Sequence, residues 1–230
     1  MSLKFLTKNV AVYEALRKDI IESRLKPGQK IIMSDVAKEF GLSDIPVREA
    51  IRRLESEGYV HCTPHVGAIV SELDGNKIIE LYLIRVELES LATRLAVPHI
   101  TSRDIDFLIK KNQEMELAIQ SEKLEKLGVL NKDFHLRIYQ AAPYPTLNQL
   151  IEDLWEKMER TQCVFTFVPD RAVASVEEHK MIIAALKSKD TTLSERLVKD
   201  QKSRTMASLE RYLKESQSDY TAKRQARKNR

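Results

Sequence analysis

Two groups of side chains in this 230-residue chain have the types and spacing to do chemistry. The first is a pair of arginines. Arg48 and Arg52 lie one turn apart, with Arg53 beside them, in a segment where Val47, Ala50, Ile51 and Leu54 recur at helical spacing. A guanidinium on the exposed side of such a helix can reach a phosphate or the edge of a guanine bidentately. Arg48 is best placed for this. Arg52, a turn further on, either shares the contact or lies beyond groove reach, and a solvated charge is the alternative for both. The second group is Arg85, Asn131, His135 and His179. Arg85 sits among apolar neighbours, where it can form a salt bridge with Glu89, clamp the carboxylate of a small molecule, or do both. Asn131 and His135, four residues apart, share one helix face. A lone histidine on an apolar helix is more often a hydrogen-bonded core residue than a ligand. The chain has no general base at a fitting spacing, no nucleophile motif and no glycine-rich phosphate loop. A metal-dependent enzyme built on Asn131, His135 and His179 is therefore only an alternative, and the chain is read as a non-enzyme.

The arginines need a scaffold, and residues 31–70 supply one. Ser34 and Asp35 stand where a helix N-cap belongs, followed by apolar Val36, Ala37 and Phe40 and by Gly41 as a C-terminal stop. Ser43 is the next N-cap candidate, and Pro46 falls in the first turn, where its missing N–H costs nothing. Glu49 and Arg53 form a plausible i,i+4 pair. After Gly58, residues 59–62 and 68–71 alternate as two short strands around Thr63-Pro64-His65-Val66-Gly67. This is a winged helix-turn-helix, with a second helix sized for a DNA major groove and a hairpin able to reach the adjacent backbone or minor groove. His65 at the wing tip is a candidate phosphate or minor-groove contact, and Gly67 lets the hairpin backbone approach closely. Ser34 and Ser43 can also donate to phosphate.

These residues carry a resemblance. LKPGQKI, DVAKEFGLS, PVREAIRRLESEGYV and VGAIVSEL, in order from about Val12 to Leu73, resemble the DNA-binding domain of the GntR transcription regulators. Where the family usually has Arg or Ser and then Thr before the proline, this chain has Asp44 and Ile45. An aspartate there suits the helix dipole but repels phosphate, so the family's operator cannot be carried over.

Upstream, a helix over residues 7–24 should bury Val12 or Tyr13, Leu16, Ile20 and Ile21. Residues 30–33 suit a short strand. Asp74-Gly75-Asn76 marks a domain boundary. From there to Leu213 the periodicity is helical. A first helix carries Ile79, Tyr82, Leu83, Val86 and Glu89 and ends near Pro98. Thr101 or Ser102 caps the next, burying Ile105, Leu108 and Ile109. A further helix spans residues 121–142, before Pro143-Tyr144-Pro145. Leu147, Leu150, Ile151, Leu154, Trp155 and Met158 are the core side of another. Ser175 to Glu178 has capping-box form, and Thr191 or Thr192 opens the last. The expected architecture is thus mainly α: a winged helix-turn-helix with a small hairpin over 1–74, an all-α bundle of six or seven helices over 75–213, and a solvated, mobile basic tail over 214–230.

RVELESLATRLA, NKDFHLRIYQAA and SVEEHKMIIAALKSKD together resemble the helical effector domain of the FadR-like branch of that family, the FCD type. The resemblance implies a divalent metal, such as zinc or nickel, held by Asn131, His135 and His179. Gln201 stands where a further histidine is usual, and it is a weaker donor than imidazole. Some members bind an organic effector there without metal. Tyr144 stands where many relatives have Asn, and its role cannot be inferred. Trp155 reads as core, and His61 and His99 read as ordinary surface or hinge residues.

Composition bounds the rest. Hydrophobic residues make up 43% of the chain, enough for a sizeable core, and no apolar run reaches membrane-spanning length. Cys62 and Cys163, without metal-ligand spacing, suit reduced thiols in the cytoplasm. The net charge of +4 resides in residues 214–230, while residues 1–74 hold 11 basic and 11 acidic side chains. DNA binding by that neutral domain must rest on placement rather than bulk charge, which favours a homodimer on a palindromic operator. The reading is an effector-responsive regulator, a repressor, controlled by a small carboxylic acid or a metal in the bundle. A sensor or scaffold whose DNA binding has decayed is the alternative.

Overall fold

Val12, Tyr13, Leu16 and Ile20, three and four residues apart, are the buried side of α1 (Lys8–Ile21), with Ile21 half-buried at its end. The computed structural model describes residues 8–21, 24–63, 66–71, 75–158 and 168–228, and it divides after Asp74 into two units. In the first unit, α1 packs on α3 (Asp44–Ser56), and α2 (Met33–Phe40) packs on α3 as well. Val47, Ala50, Ile51 and Leu54 of α3 fill the space between them.

Two capping expectations change. The residue before α2 is Ile32, so Ser34 lies inside the first turn and does not cap it. Ser43 does occupy the N-cap position of α3 in extended conformation, yet its side chain makes no cap hydrogen bond. Gly41 ends α2 at φ 62°, with its own N–H and that of Leu42 bonded back to Lys38 and Ala37, the left-handed stop that glycine takes without strain.

The wing has a third strand. β1 (Lys30–Ile31) pairs with β3 (Gly67–Val70), which also pairs with β2 (Val60–Thr63), giving an antiparallel sheet in the order β1-β3-β2. β1 stops at Ile31 because Ile32 already leads into α2. Thr63 faces Gly67 across the hairpin, and Gly67 has φ +100°, a backbone conformation closed to most side chains.

The second unit holds six described helices: α4 (Gly75–Ala96), α5 (Ser102–Gln120), α6 (Leu127–Gln140), α7 (Pro145–Lys157), α8 (Pro169–Lys187) and α9 (Thr191–Lys228). α9 lies along α4, while α5 packs against α6 and α8. Leu108, Phe134, Ile138, Ile151, Ile182, Leu186 and Val198 meet in the core. Thr101 caps α5 through a full capping box with Asp104.

Several expectations shift by part of a helical turn. Ile78 is buried where Ile79 was expected, and Leu83, Ile109 and Leu150 are exposed. Helix α5 already ends at Gln120, and a short 3-10 turn precedes α6. Ser175 does not open a helix, because α8 begins six residues earlier at Pro169 and leaves Ser175 buried within it. Helix α9 continues to Lys228, so the last helix runs on past Leu213 through the backbone of the basic segment. No described helix is long and apolar enough to cross a membrane.

Candidate nucleic-acid interface and bundle site

The buried stripe of α3 fixes which way its other side chains point. At about 100° per residue, Ile45 lies almost opposite that stripe, with Arg52, Arg48 and then Asp44 successively to one side of it and Asp44 at the edge of that face. All four are exposed. The neighbouring side of the helix is already occupied. Glu49 accepts a hydrogen bond from Asn9 of α1 at 2.7 Å, so it does not pair with Arg53 as expected. Arg53 instead bonds Glu57 at 3.1 Å and lies over the Tyr13 ring at 3.7 Å. Tyr13 in turn donates to Glu57 at 2.5 Å, and burial followed by that bond pushes its phenol well above the ordinary value. The three arginines of α3 are thereby sorted: Arg53 ties α3 to α1, while Arg48 and Arg52 stay on the open face.

Of the other candidate contacts, Ser34 and Ser43 are exposed at the starts of α2 and α3, and Pro46 sits half-buried in the first turn of α3. Gly67 opens β3. His65 lies outside the described residues. Cys62 is an exposed free thiol on β2, His61 and His99 are exposed, and Cys163 lies outside the described residues.

In the bundle, α6 and α8 bring His135 and His179 together, with their Nε2 atoms 3.3 Å apart. Their other nitrogens are committed. Asn112 donates through Nδ2 to the Val176 carbonyl at 3.2 Å, which leaves its Oδ1 to accept from His179 Nδ1 at 3.1 Å. Tyr139 donates its one hydroxyl proton to Glu89 at 2.5 Å, so its oxygen accepts from His135 Nδ1 at 3.3 Å. Both Nε2 atoms therefore present lone pairs to each other. Phe134 stacks on His179 at 3.9 Å between ring centres. Burial first, and the nearby Lys202 cation second, push both imidazoles well below their ordinary pKa.

Around the pair lies a buried charge network. Arg85 bonds Glu89 at 2.5 Å and lies over Trp155 at 3.8 Å, and Lys202 pairs with the same carboxylate at 3.1 Å. The expected Arg85–Glu89 pair thus forms. Burial pushes Glu89 up, but Arg85, Lys202 and two hydrogen bonds together outweigh it and hold the carboxyl below its ordinary value. Burial pushes Lys202 down to about 7, with Arg85 and Arg171 adding to the push and Glu89 opposing it. Arg171 reaches Glu178 at 2.5 Å and the Gln201 backbone carbonyl at 3.2 Å. Arg85, Arg171 and Lys202 share two buried carboxylates, Glu89 and Glu178, so the cluster carries an excess of positive charge while Lys202 is protonated and is balanced when it is neutral. The Nη1 atom of Arg171, Nε1 of Trp155 and Oε1 of Gln201 are buried without a hydrogen-bond partner.

The implied metal set fits in part. Tetrahedral nitrogen ligands of one ion at 2.0–2.1 Å stand about 3.4 Å apart, close to the observed histidine separation, and both rings have the Nδ1–H partners usual behind a metal ligand. The orphaned Gln201 Oε1 is a further donor, although Gln201 Nε2 is held by Ser175 at 3.3 Å. Asn131 is half-buried one turn before His135 and makes no recorded side-chain hydrogen bond. No group of three His, Cys, Asp or Glu with metal-binding geometry occurs among the described residues.

Asn112, Glu89, Tyr139, Lys202 and Arg171 were not foreseen as site residues. Their signal was present as polar residues at core spacing: Asn112 between Leu108 and Met115, and Lys202 between Val198 and Leu209.

Comparison with known proteins follows this division. Residues 8–70 match the model of the bacterial regulatory proteins of the gntR family, and residues 80–201 match the FCD domain. The chain is 30% identical over 190 residues to the HTH-type transcriptional regulator McbR of Escherichia coli (strain K12), covering 82% of this chain and 86% of that one. It is 26% identical over 202 residues to the gluconate operon transcriptional repressor of Bacillus subtilis (strain 168), covering 83% and 81%. The solved structure of E. coli McbR/YncC superposes with a TM-score of 0.70 at 28% identity, over 89% of this chain and 98% of that one.

Proposed function

The chain belongs to the gntR family of bacterial regulatory proteins, with an FCD domain after its winged helix-turn-helix, and from that premise we propose an effector-controlled repressor that binds a palindromic operator as a homodimer. It is a transcription regulator and not an enzyme, as are the relatives named above. The observation that carries the DNA reading is the open face of α3, where Arg48 and Arg52 are exposed on a helix anchored by four buried apolar residues. Arg48 takes a guanine edge or a phosphate, and Arg52 takes the backbone a turn further on. A cytoplasmic site of action follows from an operator as partner.

The effector site is the bundle network. The orphaned donors of Arg171 and Trp155, and the positive excess the cluster has while Lys202 is protonated, support an anionic ligand, a small carboxylic acid. The relative named for a gluconate operon is consistent with that class. The facing lone pairs of His135 and His179 support a divalent ion of the zinc or nickel kind, with Gln201 and Asn131 as oxygen donors. When bound, such an ion would supply a Lewis-acid anchor for the carboxylate. Arg85 would hold a carboxylate oxygen, and Glu89 would orient Arg85, Lys202 and Tyr139. A ligand changes operator affinity only as far as it favours one conformation of the protein over another.

Mobility shift of the DNA upstream of the chain's own gene, with and without small organic acids and with and without chelator, tests the reading. The expected result is a retarded complex that Arg48→Ala weakens and that one of the acids releases. No retarded complex with any fragment of the source genome would favour a protein whose DNA binding has decayed.

A further inference from the structure

Ile45 is the feature of the first unit that folding does not explain. It is 69% exposed on the second residue of α3, nearly opposite the buried stripe, so no rotation of the helix within its own core could cover it. Asp44 precedes it, exposed, with no recorded hydrogen bond or ion pair to any described residue. Arg48 stands one turn behind Asp44 on the same open face, yet the two do not form the i,i+4 ion pair their spacing allows. Side chains at the start of a recognition helix are the ones that reach base edges. In the major groove, an aliphatic side chain matches the thymine C5-methyl, and a carboxylate can accept from the N4-amino group of cytosine; adenine also offers an N6-amino donor, but beside an N7 acceptor that repels a carboxylate, so cytosine is the better partner. A carboxylate turned instead toward the phosphates would be repelled, which leaves a base donor as its favourable partner.

We infer that Asp44 and Ile45 set operator specificity, with Ile45 packed on a thymine methyl and Asp44 accepting from a cytosine amine in each half-site. This rests on the DNA-binding reading above. The pair then works by exclusion as much as attraction. Guanine or thymine, which offer Asp44 only acceptors in the groove, are rejected, and uracil leaves Ile45 against water. Arg48 supplies the attraction that Asp44 lacks.

The test uses the full-length chain. Selection from random duplexes yields a half-site, after which each thymine is replaced in turn by deoxyuridine and each cytosine by thymine, with affinity read by fluorescence anisotropy. Removal of one methyl should weaken wild-type binding about four-fold per half-site, and Ile45→Ala should make that same position indifferent to the methyl. Asp44→Ala should lose the preference for cytosine at one position while binding unselected DNA more tightly. Both side chains are exposed, so Ile45→Ala should keep the wild-type melting temperature and Asp44→Ala should lose only the small helix-dipole contribution, and melting serves as the folding control. If every thymine tolerates uracil within two-fold, or Ile45→Ala keeps the wild-type methyl sensitivity, the inference fails although Arg48-dependent binding stands. If selection enriches no half-site at all, the regulator reading itself fails.

Discussion

The Nε2 atoms of His135 and His179 face each other at 3.3 Å while Tyr139 and Asn112 occupy the opposite nitrogen of each ring. Neither nitrogen can donate to the other as the rings stand, so a cation placed between them would stabilise the pair. Zinc or nickel added to chelator-treated protein should raise its melting temperature, and elemental analysis should find close to one ion per chain. His179→Ala should abolish both effects. Neither metal uptake nor a thermal shift in the wild type would remove the metal from the proposal and leave the anion site in place.

Glu89 is the shared counter-charge of Arg85 and Lys202, and all three are buried. Glu89→Gln would leave two cations in the bundle without a partner. The cost should be about 3–5 kcal/mol, read as a lowered urea midpoint of the bundle's transition. A midpoint unchanged from the wild type would mean that water reaches the cluster.

Arg48, Arg52 and Arg53 should separate by assay. Arg48→Ala should weaken specific operator binding about ten-fold or more. Arg52→Ala should weaken all DNA alike and reduce the salt dependence by about one phosphate per half-site. Arg53→Ala should leave DNA affinity within two-fold and lower the melting temperature, because its partners Glu57 and Tyr13 lie within the domain. A loss of affinity with Arg53→Ala and none with Arg48→Ala would invert the assignment.

Asp104 accepts from the backbone and hydroxyl of Thr101, both at 2.7 Å, and pairs with Arg137 at 2.6 Å. Burial pushes its carboxyl up, but the Thr101 bonds and Arg137 outweigh that and hold it below the ordinary aspartate value. A depressed carboxylate pKa means that the unfolded chain binds the proton more readily. The stabilisation is therefore complete above the unfolded value near 4 and drains away as pH falls through the folded one. Thr101→Ala should cost about 1 kcal/mol at neutral pH. Asp104→Asn should flatten the acid limb of the stability curve, and an unchanged limb would show that Asp104 does not contribute to it.

Much of this protein could be read from its residues alone. Apolar spacing in α1, α3 and α5, the glycine at the end of α2 and the Pro143–Pro145 break are local properties, and local sterics decide them wherever the chain goes. The recognition helix could be oriented before any coordinates, since Val47, Ala50, Ile51 and Leu54 leave one outward face. Arg53 was the failure on that helix. Glu49 and Glu57 both stand four residues from it, and spacing alone does not choose between them; α1 decides, because its Asn9 bonds Glu49 while its Tyr13 bonds Glu57 and lies against Arg53.

The sequence by itself determined the two-part architecture, the exposed arginines of α3 and the buried Arg85–Glu89 pair, because each depends on neighbours within about one helical turn. Only the tertiary structure decided which polar residues form the bundle site. His135 meets His179 across 44 residues, Asn112 meets His179 across 67, and Lys202 reaches Glu89 from a helix more than a hundred residues away. Helical periodicity says that a polar side chain points inward, but not which partner it finds there. That partner is set by the rotation and register of packed helices, which depend on the fit of all their side chains at once.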